Sequence, residues 1–351
     1  MAKNLPTASY LPTDRLNILV IKQTSLGDVL HSTAQVNAIK KLLPNCCLTL
    51  MTSTTAYDIY RHNPNVDKVI LFDRYRVKEM WWRRPVWVVQ HLIQTFQSVR
   101  QQKYELAIDF QGRWKTVIFL WGACASQKFV KGRWWFAHRF HQPKWHAIDE
   151  MNGLLKLAGL GPGGHETQLF ASGKDRERVR SIISRHALEN ARWILCCPTS
   201  RWPTKDWPLN NYRQLANLLP EDVRIILSGL KSDRPAIDAS IGGLPESRLI
   251  NLAGELSIGE FAEFVSQAPV VVTMDSFSLH VAAAKQRPTV ALFGPTDEKR
   301  VGPNNRSTII VRAPQANCSR CYRRKSCPNK CVEKISPKQV SDAIEKILGS
   351  F

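Results

Sequence analysis

Short runs of apolar residues recur along the chain, each followed by a loop and then by apolar positions at helical spacing. The first run is Asn17–Lys22 (NILVIK), with a loop at Gln23–Gly27 and a predicted helix over Asp28–Leu43. Leu48–Thr52, Val66–Asp73 and Tyr104–Phe110 read as further strands, and Met80–Gln102 reads as helical between them. The Gly- and Pro-containing stretch Gly159–Gly164 and the charged segment Lys174–Arg185 then read as a connection between domains. A second array follows, with strands at Trp193–Pro198, Val223–Gly229, Leu249–Ala253, Val270–Met274 and Thr289–Gly294. Its helical patterns fall at Asn210–Leu219, Ser257–Gln267 and Ser276–Ala284, and Ser336–Leu348 closes the chain.

Two successive strand–helix arrays predict an α/β protein of two doubly wound, Rossmann-like domains facing a cleft. The expected division is 1–172, 173–335 and a C-terminal helix over 336–351. In such sheets ligands sit beyond the carboxyl ends of the strands. The loops after Lys22, Pro198, Gly229, Met274 and Gly294 are therefore where chemistry is expected.

Composition sharpens this picture. The 351 residues suit two domains, and 44% hydrophobic residues exclude wholesale disorder. Lys plus Arg number 49 against 29 Asp plus Glu, a formal +20, so an anionic partner is expected. Apolar runs such as Val117–Ala125 are far short of the ~20 residues a membrane span needs. Residues 1–15 are polar, with prolines and an Asp, which argues against a secretory signal. The expectation is a cytoplasmic protein, soluble or peripheral, whose nine cysteines stay reduced.

Three segments could carry chemistry. In Lys22–His31 (KQTSLGDVLH), Asp28 stands at the start of a helix, as an N-terminal cap or as a general base; spacing alone favours the cap. No P-loop pattern occurs there. In Met274–Ala284 (MDSFSLHVAAA), a strand runs through a turn into a helix whose free N–H groups favour a phosphate, with Ser276, Ser278 and His280 close by. An ordinary capped helix fits that pattern about as well, and the Gly294-Pro-Thr296 turn at the same sheet edge tilts the balance to a ligand. In Pro198–Pro208 (PTSRWPTKDWP), Arg201 and Lys205 stand among tryptophans. They suit a diphosphate or a solvated loop.

Together these segments resemble the lipopolysaccharide heptosyltransferases of glycosyltransferase family 9. The likeness lies in ILVIKQTSLGDVLHSTAQVNAIKKLLP, TSRWPTKDWP, DSFSLHVAAA and LFGPTD. It implies a GT-B fold and an inverting, metal-independent transfer of heptose from ADP-heptose to the inner core of lipopolysaccharide, without a cofactor. It implies Asp28 as general base and Thr199, Lys205, Asp275, Ser276, Ser278 and His280 as the donor site. Ser25, Gly27 and Arg113 are expected on the acceptor side. The chain departs from the family at Phe277, where glycine is usual, and a side chain there narrows backbone approach to phosphate. A related GT-B transferase using another nucleotide sugar is the nearest alternative. A basic nucleic-acid-binding protein would leave the DSFSLH and GPT turns without a role, so no nucleic-acid partner is expected.

Two further features remain. Arg74–His146 holds 14 Lys or Arg against three acidic residues, and eight of the 11 Trp. Single tryptophans read best as core residues, whereas the region as a whole reads as contact with a phosphorylated glycolipid acceptor or the anionic inner-membrane surface. Finally, Cys318, Cys321, Cys327 and Cys331 fall within 14 residues. They read as a structural zinc site, a loop staple or plain thiols.

Overall fold

The computed structural model describes residues 15–142, 144–242, 245, 248–303, 305–313 and 320–349. The chain divides between Gln168 and Leu169 into two compact units.

In the first unit the elements run β1 (Asn17–Ile21), α1 (Leu26–Leu42), β2 (Cys47–Thr52), α2 (Tyr57–Tyr60), β3 (Lys68–Leu71), α3 (Arg74–Met80), α4 (Pro85–Arg100), β4 (Tyr104–Asp109), α5 (Trp114–Gly122), β5 (Ala125–Lys131), β6 (His138–Phe140) and α6 (Ala147–Leu157). Its sheet is parallel throughout, in the order β3-β2-β1-β4-β5-β6. The β1 run is apolar on both faces because helices cover both, and Ile18 to Ile21 are fully buried.

The second unit begins with α7 (Gly173–Arg185) and continues β7 (Arg192–Cys197), α8 (Leu209–Leu218), β8 (Val223–Leu227), α9 (Arg234–Ile241), β9 (Leu249–Asn251), α10 (Ile258–Gln267), β10 (Val271–Met274), α11 (Phe277–Ala284), β11 (Thr289–Phe293), α12 (Glu298–Val301), β12 (Thr308–Arg312) and α13 (Pro337–Leu348). The sheet order is β12-β11-β10-β7-β8-β9, again all parallel. Val340 and Ile344 of α13 join the core beneath it, and the Trp207 indole N–H donates to the Ile335 carbonyl at 2.8 Å.

Three readings need correction. Met80–Gln102 is not one helix. Pro85 lacks an N–H and its ring would clash with the preceding turn, so α3 ends at Met80 and α4 starts at Pro85. Lys174–Arg185 is a helix of the second unit rather than a connection. Ser172 and Asp175 form a reciprocal cap, and only Val179 and Ile182 are buried, which is why charge hid the pattern. The tryptophans of Arg74–His146 are not core residues: six of the eight are exposed and Trp87 and Trp134 are half-buried.

Each sheet has one point where the strand order reverses. In the first unit it lies between β1 and β4, in the second between β7 and β10. Loops leaving neighbouring strands on opposite sides open a crevice there, and this is where ligands bind in open α/β sheets.

Candidate active site

At the first reversal, the loop after β1 meets the loop after β4. The Thr24 N–H donates to the Gln111 side-chain oxygen at 3.1 Å. Asp109, fully buried at the end of β4, accepts from the Gln111 and Gly112 N–H groups at 2.7 and 3.1 Å and from the Thr116 hydroxyl at 2.7 Å. Gly112 has a φ of +63°, and a Cβ there would strike the Lys131 carbonyl, so glycine is required. Burial pushes the Asp109 carboxyl up to about 6, its three donors opposing.

Asp28 occupies the first turn of α1. Its Oδ2 accepts from the Ser25 N–H at 3.0 Å and from the Ser25 hydroxyl at 2.9 Å. The cap expected at Asp28 is thus displaced: α1 starts at Leu26, Ser25 is its N-cap, and Asp28 is the third helical residue, whose carboxylate reaches back to the cap. Burial pushes the Asp28 carboxyl up, but the Lys22 and His31 charges and the Ser25 donors outweigh it and hold the group well below the usual carboxylate range. Lys22 is itself buried, and its pKa falls through that burial, with Asp28 and Asp109 pulling the other way. The site thus carries an ionised carboxylate within electrostatic reach of the buried Lys22 side chain. Of the other residues expected here, Gly27 is buried in α1, and Arg113, an exposed residue, is the N-cap of α5.

At the second reversal, Lys205 and Asp275 come together although 70 residues separate them. The Lys205 ammonium donates to the Asp275 carboxylate at 2.6 Å and to the Asp275 carbonyl at 2.9 Å. It also lies 4.2 Å from the centre of the Trp202 ring, and Arg324 approaches that ring at 4.6 Å. His280 Nε2 is 4.0 Å from the other Asp275 oxygen. Ser276 is the N-cap of α11, its hydroxyl 3.3 Å from that of Thr273. Ser278 reaches the Cys197 thiol, which burial pushes up to about 12 against that hydrogen bond. Thr199 donates to Asp233 at 2.7 Å. Phe277 turns its ring to Phe261 of α10, 6.4 Å centre to centre.

The Gly294 turn has a packing reason as well: a Cβ there would strike the Val332 side chain. Thr296, in the same turn, buries a hydroxyl oxygen that has no partner among the described residues. Cys318 lies outside the described residues. Among those described, no group of three His, Cys, Asp or Glu is placed to hold a metal ion, and no helix is long and apolar enough to cross a membrane.

Lys22 and Thr296 were noted only as members of their segments, whereas Asp109 and Gln111 were missed. For these two the available signal was position: Asp109-Phe-Gln-Gly-Arg113 leaves the end of the strand that neighbours β1 across the reversal. Pairing of β4 with β1 is non-local and could not be read from periodicity.

Comparison with known proteins gives a consistent picture. Glycosyltransferase family 9 (heptosyltransferase) matches residues 92–333. Lipopolysaccharide heptosyltransferase 2 of Salmonella typhimurium is 33% identical over 318 residues, covering 85% of this chain and 88% of that protein. Among solved structures, the family 9 glycosyl transferase of Veillonella parvula superposes with a TM-score of 0.81 at 19% identity, covering 97% of this chain and 99% of that one. E. coli heptosyltransferase WaaC with ADP gives a TM-score of 0.72 at 20% identity, covering 95% and all of the respective chains.

Proposed function

This chain belongs to glycosyltransferase family 9 and is a glycosyltransferase of the heptosyltransferase type, and from that premise we propose that it moves a heptose from ADP-heptose to the inner core of lipopolysaccharide, with inversion and without a metal. The observation that carries the reading is the Lys205–Asp275 pair at the β7/β10 reversal, beside the start of α11. The E. coli relative solved with ADP supports the choice of nucleotide.

The donor diphosphate lies against the N-terminus of α11. Free N–H groups and the helix dipole meet its negative charge there. Lys205 has three N–H donors, and Asp275 takes two of them. The third is left for a phosphate oxygen, and the pair fixes where it points. Ser276 adds a hydroxyl. As the anomeric carbon–oxygen bond breaks, charge builds on the departing ADP, and these fixed donors stabilise it without reorganising. The positive charge needed is thus supplied by protein groups.

At the acceptor, a hydroxyl attacks the anomeric carbon of an oxocarbenium-like transition state. Its proton becomes acidic only as the new bond forms, so a weak base suffices. Asp28, ionised at every physiological pH, takes that proton. Ser25 and Lys22 hold it in place and in charge, and Gly27 and Arg113 flank the acceptor. The test is incubation with a panel of nucleotide sugars and lipopolysaccharide core acceptors, followed by mass spectrometry. A heptose adduct formed only from ADP-heptose is expected. An adduct from a different nucleotide sugar would reassign the donor.

A further inference from the structure

The outer face of α4 carries an exposed apolar stripe. Val86, Val89 and Ile93 stand at i, i+3 and i+7, on one side of the helix, and are 69%, 54% and 50% exposed. Trp82, in the turn just before, is 88% exposed. The opposite face of α4 is the one that meets the core, through Val88, Thr95 and Val99. Phe96 packs on Phe119 of α5, ring centres 4.8 Å apart, which sets α5 alongside. Trp114 and Trp121 of α5, also at i and i+7, are exposed as well. Scattered exposed apolar residues need no explanation, but two adjoining helices that each present a stripe do.

The charge around the stripe selects its occupant. Residues 74–102 contain six Lys or Arg and a single acid, Glu79. Arg76, Lys78, Arg83 and Arg84 are all exposed. A second copy of the chain would bring these like charges face to face across a two-fold axis. A bilayer carrying anionic headgroups meets both features, since indole rings favour the headgroup boundary and cations favour lipid phosphate.

We propose that the α3–α4 surface, widened by α5, docks this enzyme on an anionic lipid bilayer, with Trp82, Val86, Val89 and Ile93 entering the headgroup boundary and Arg83 and Arg84 on lipid phosphates. This deepens the reading of a lipid-borne acceptor, and it is separable from it because docking needs neither donor nor acceptor.

The test is co-sedimentation with vesicles of phosphatidylcholine alone or mixed three to one with phosphatidylglycerol, across a salt series. The wild type binds the mixed vesicles and not the neutral ones. Val86→Gln, Val89→Gln and Ile93→Gln combined lower binding about fivefold or more with the melting temperature unchanged, since all three positions are exposed. Arg83→Gln with Arg84→Gln lowers it at low salt, by roughly fivefold for each charge. Binding that ignores lipid charge, binding that survives the stripe substitutions, or no binding at all overturns the proposal. So does a wild-type dimer, seen by sedimentation velocity, that those substitutions dissolve. Turnover on a delipidated acceptor fragment tells the two readings apart. If it persists while vesicle binding fails, only the docking surface is wrong; if it fails while vesicle binding holds, only the transfer reaction is wrong.

Discussion

The Lys205 ammonium lies 2.6 Å from the Asp275 carboxylate and spends a second hydrogen bond on the carbonyl of the same residue. Both side chains are close to fully buried, at 12% and 6% exposure. Removing one partner therefore leaves a buried charge without compensation, at a cost of ~3–5 kcal/mol. Lys205→Ala should lower stability by about that much. It should also weaken ADP by roughly 10- to 100-fold, the worth of a charge-assisted hydrogen bond, and adenosine hardly at all. The double variant Lys205→Ala/Asp275→Ala should recover stability without recovering ADP affinity. Calorimetry and thermal melts read the two quantities separately, and equal losses for ADP and adenosine would remove Lys205 from the diphosphate site.

Asp109 makes a prediction in pH. Its folded value, about 6, lies above the usual 3.8, because burial penalises the charged form. Between these values the folded state holds a proton that the unfolded state has released. The contribution to stability is thus fully present below pH ~4 and is lost as pH rises through about 6. A carboxyl raised from 3.8 to about 6 is worth roughly 3 kcal/mol across that window. The stability difference between wild type and Asp109→Asn should move by about that amount, with the wild type losing ground as pH rises. Denaturant melts at a series of pH values measure it, and a difference that stays flat with pH would contradict the assignment.

How much of this was legible beforehand depended on locality. The capping of α1 follows from residues within a few positions of one another, although its N-cap is Ser25 and Asp28 sits three residues further in. So do the start of α11 at Ser276 and the buried strands β1 and β7. The two-array α/β architecture followed from their repetition. By contrast β5 (ASQKFVK) and β6 (HRF) offer no clean apolar run, and β12 was passed over although Ile309, Ile310 and Val311 form a short one. The Lys205–Asp275 pair and the Thr24–Gln111 bond join segments 70 and 87 residues apart, so only the strand order reveals them. The tryptophans misled for a related reason: composition marks Trp as core material, and only the helix face or loop that each occupies tells whether a core lies beneath.

Phe277 separates packing from blocking. Its ring lies against Phe261, turned to α10. Phe277→Gly should therefore cost stability, about 1–3 kcal/mol from lost aromatic burial, and change ADP affinity less than about threefold. Titration calorimetry on the variant decides the matter. A tenfold gain in affinity would mean that the side chain stands in the phosphate path after all.

The central claim is that Asp28 serves as the base of a metal-free heptose transfer. It is tested most directly by mass spectrometry of a heptose-free lipopolysaccharide core acceptor after incubation with ADP-heptose in excess EDTA, using wild type and Asp28→Asn. Asparagine can still accept from Ser25 at the cap, so the fold should persist, while loss of a general base typically costs ~10²–10⁴ in rate. The account predicts a single heptose added by the wild type and turnover lowered by that factor in the variant, with ADP binding nearly unchanged. Wild-type turnover that stops in EDTA and returns with Mg²⁺, or a variant that transfers heptose as fast as the wild type, would contradict it.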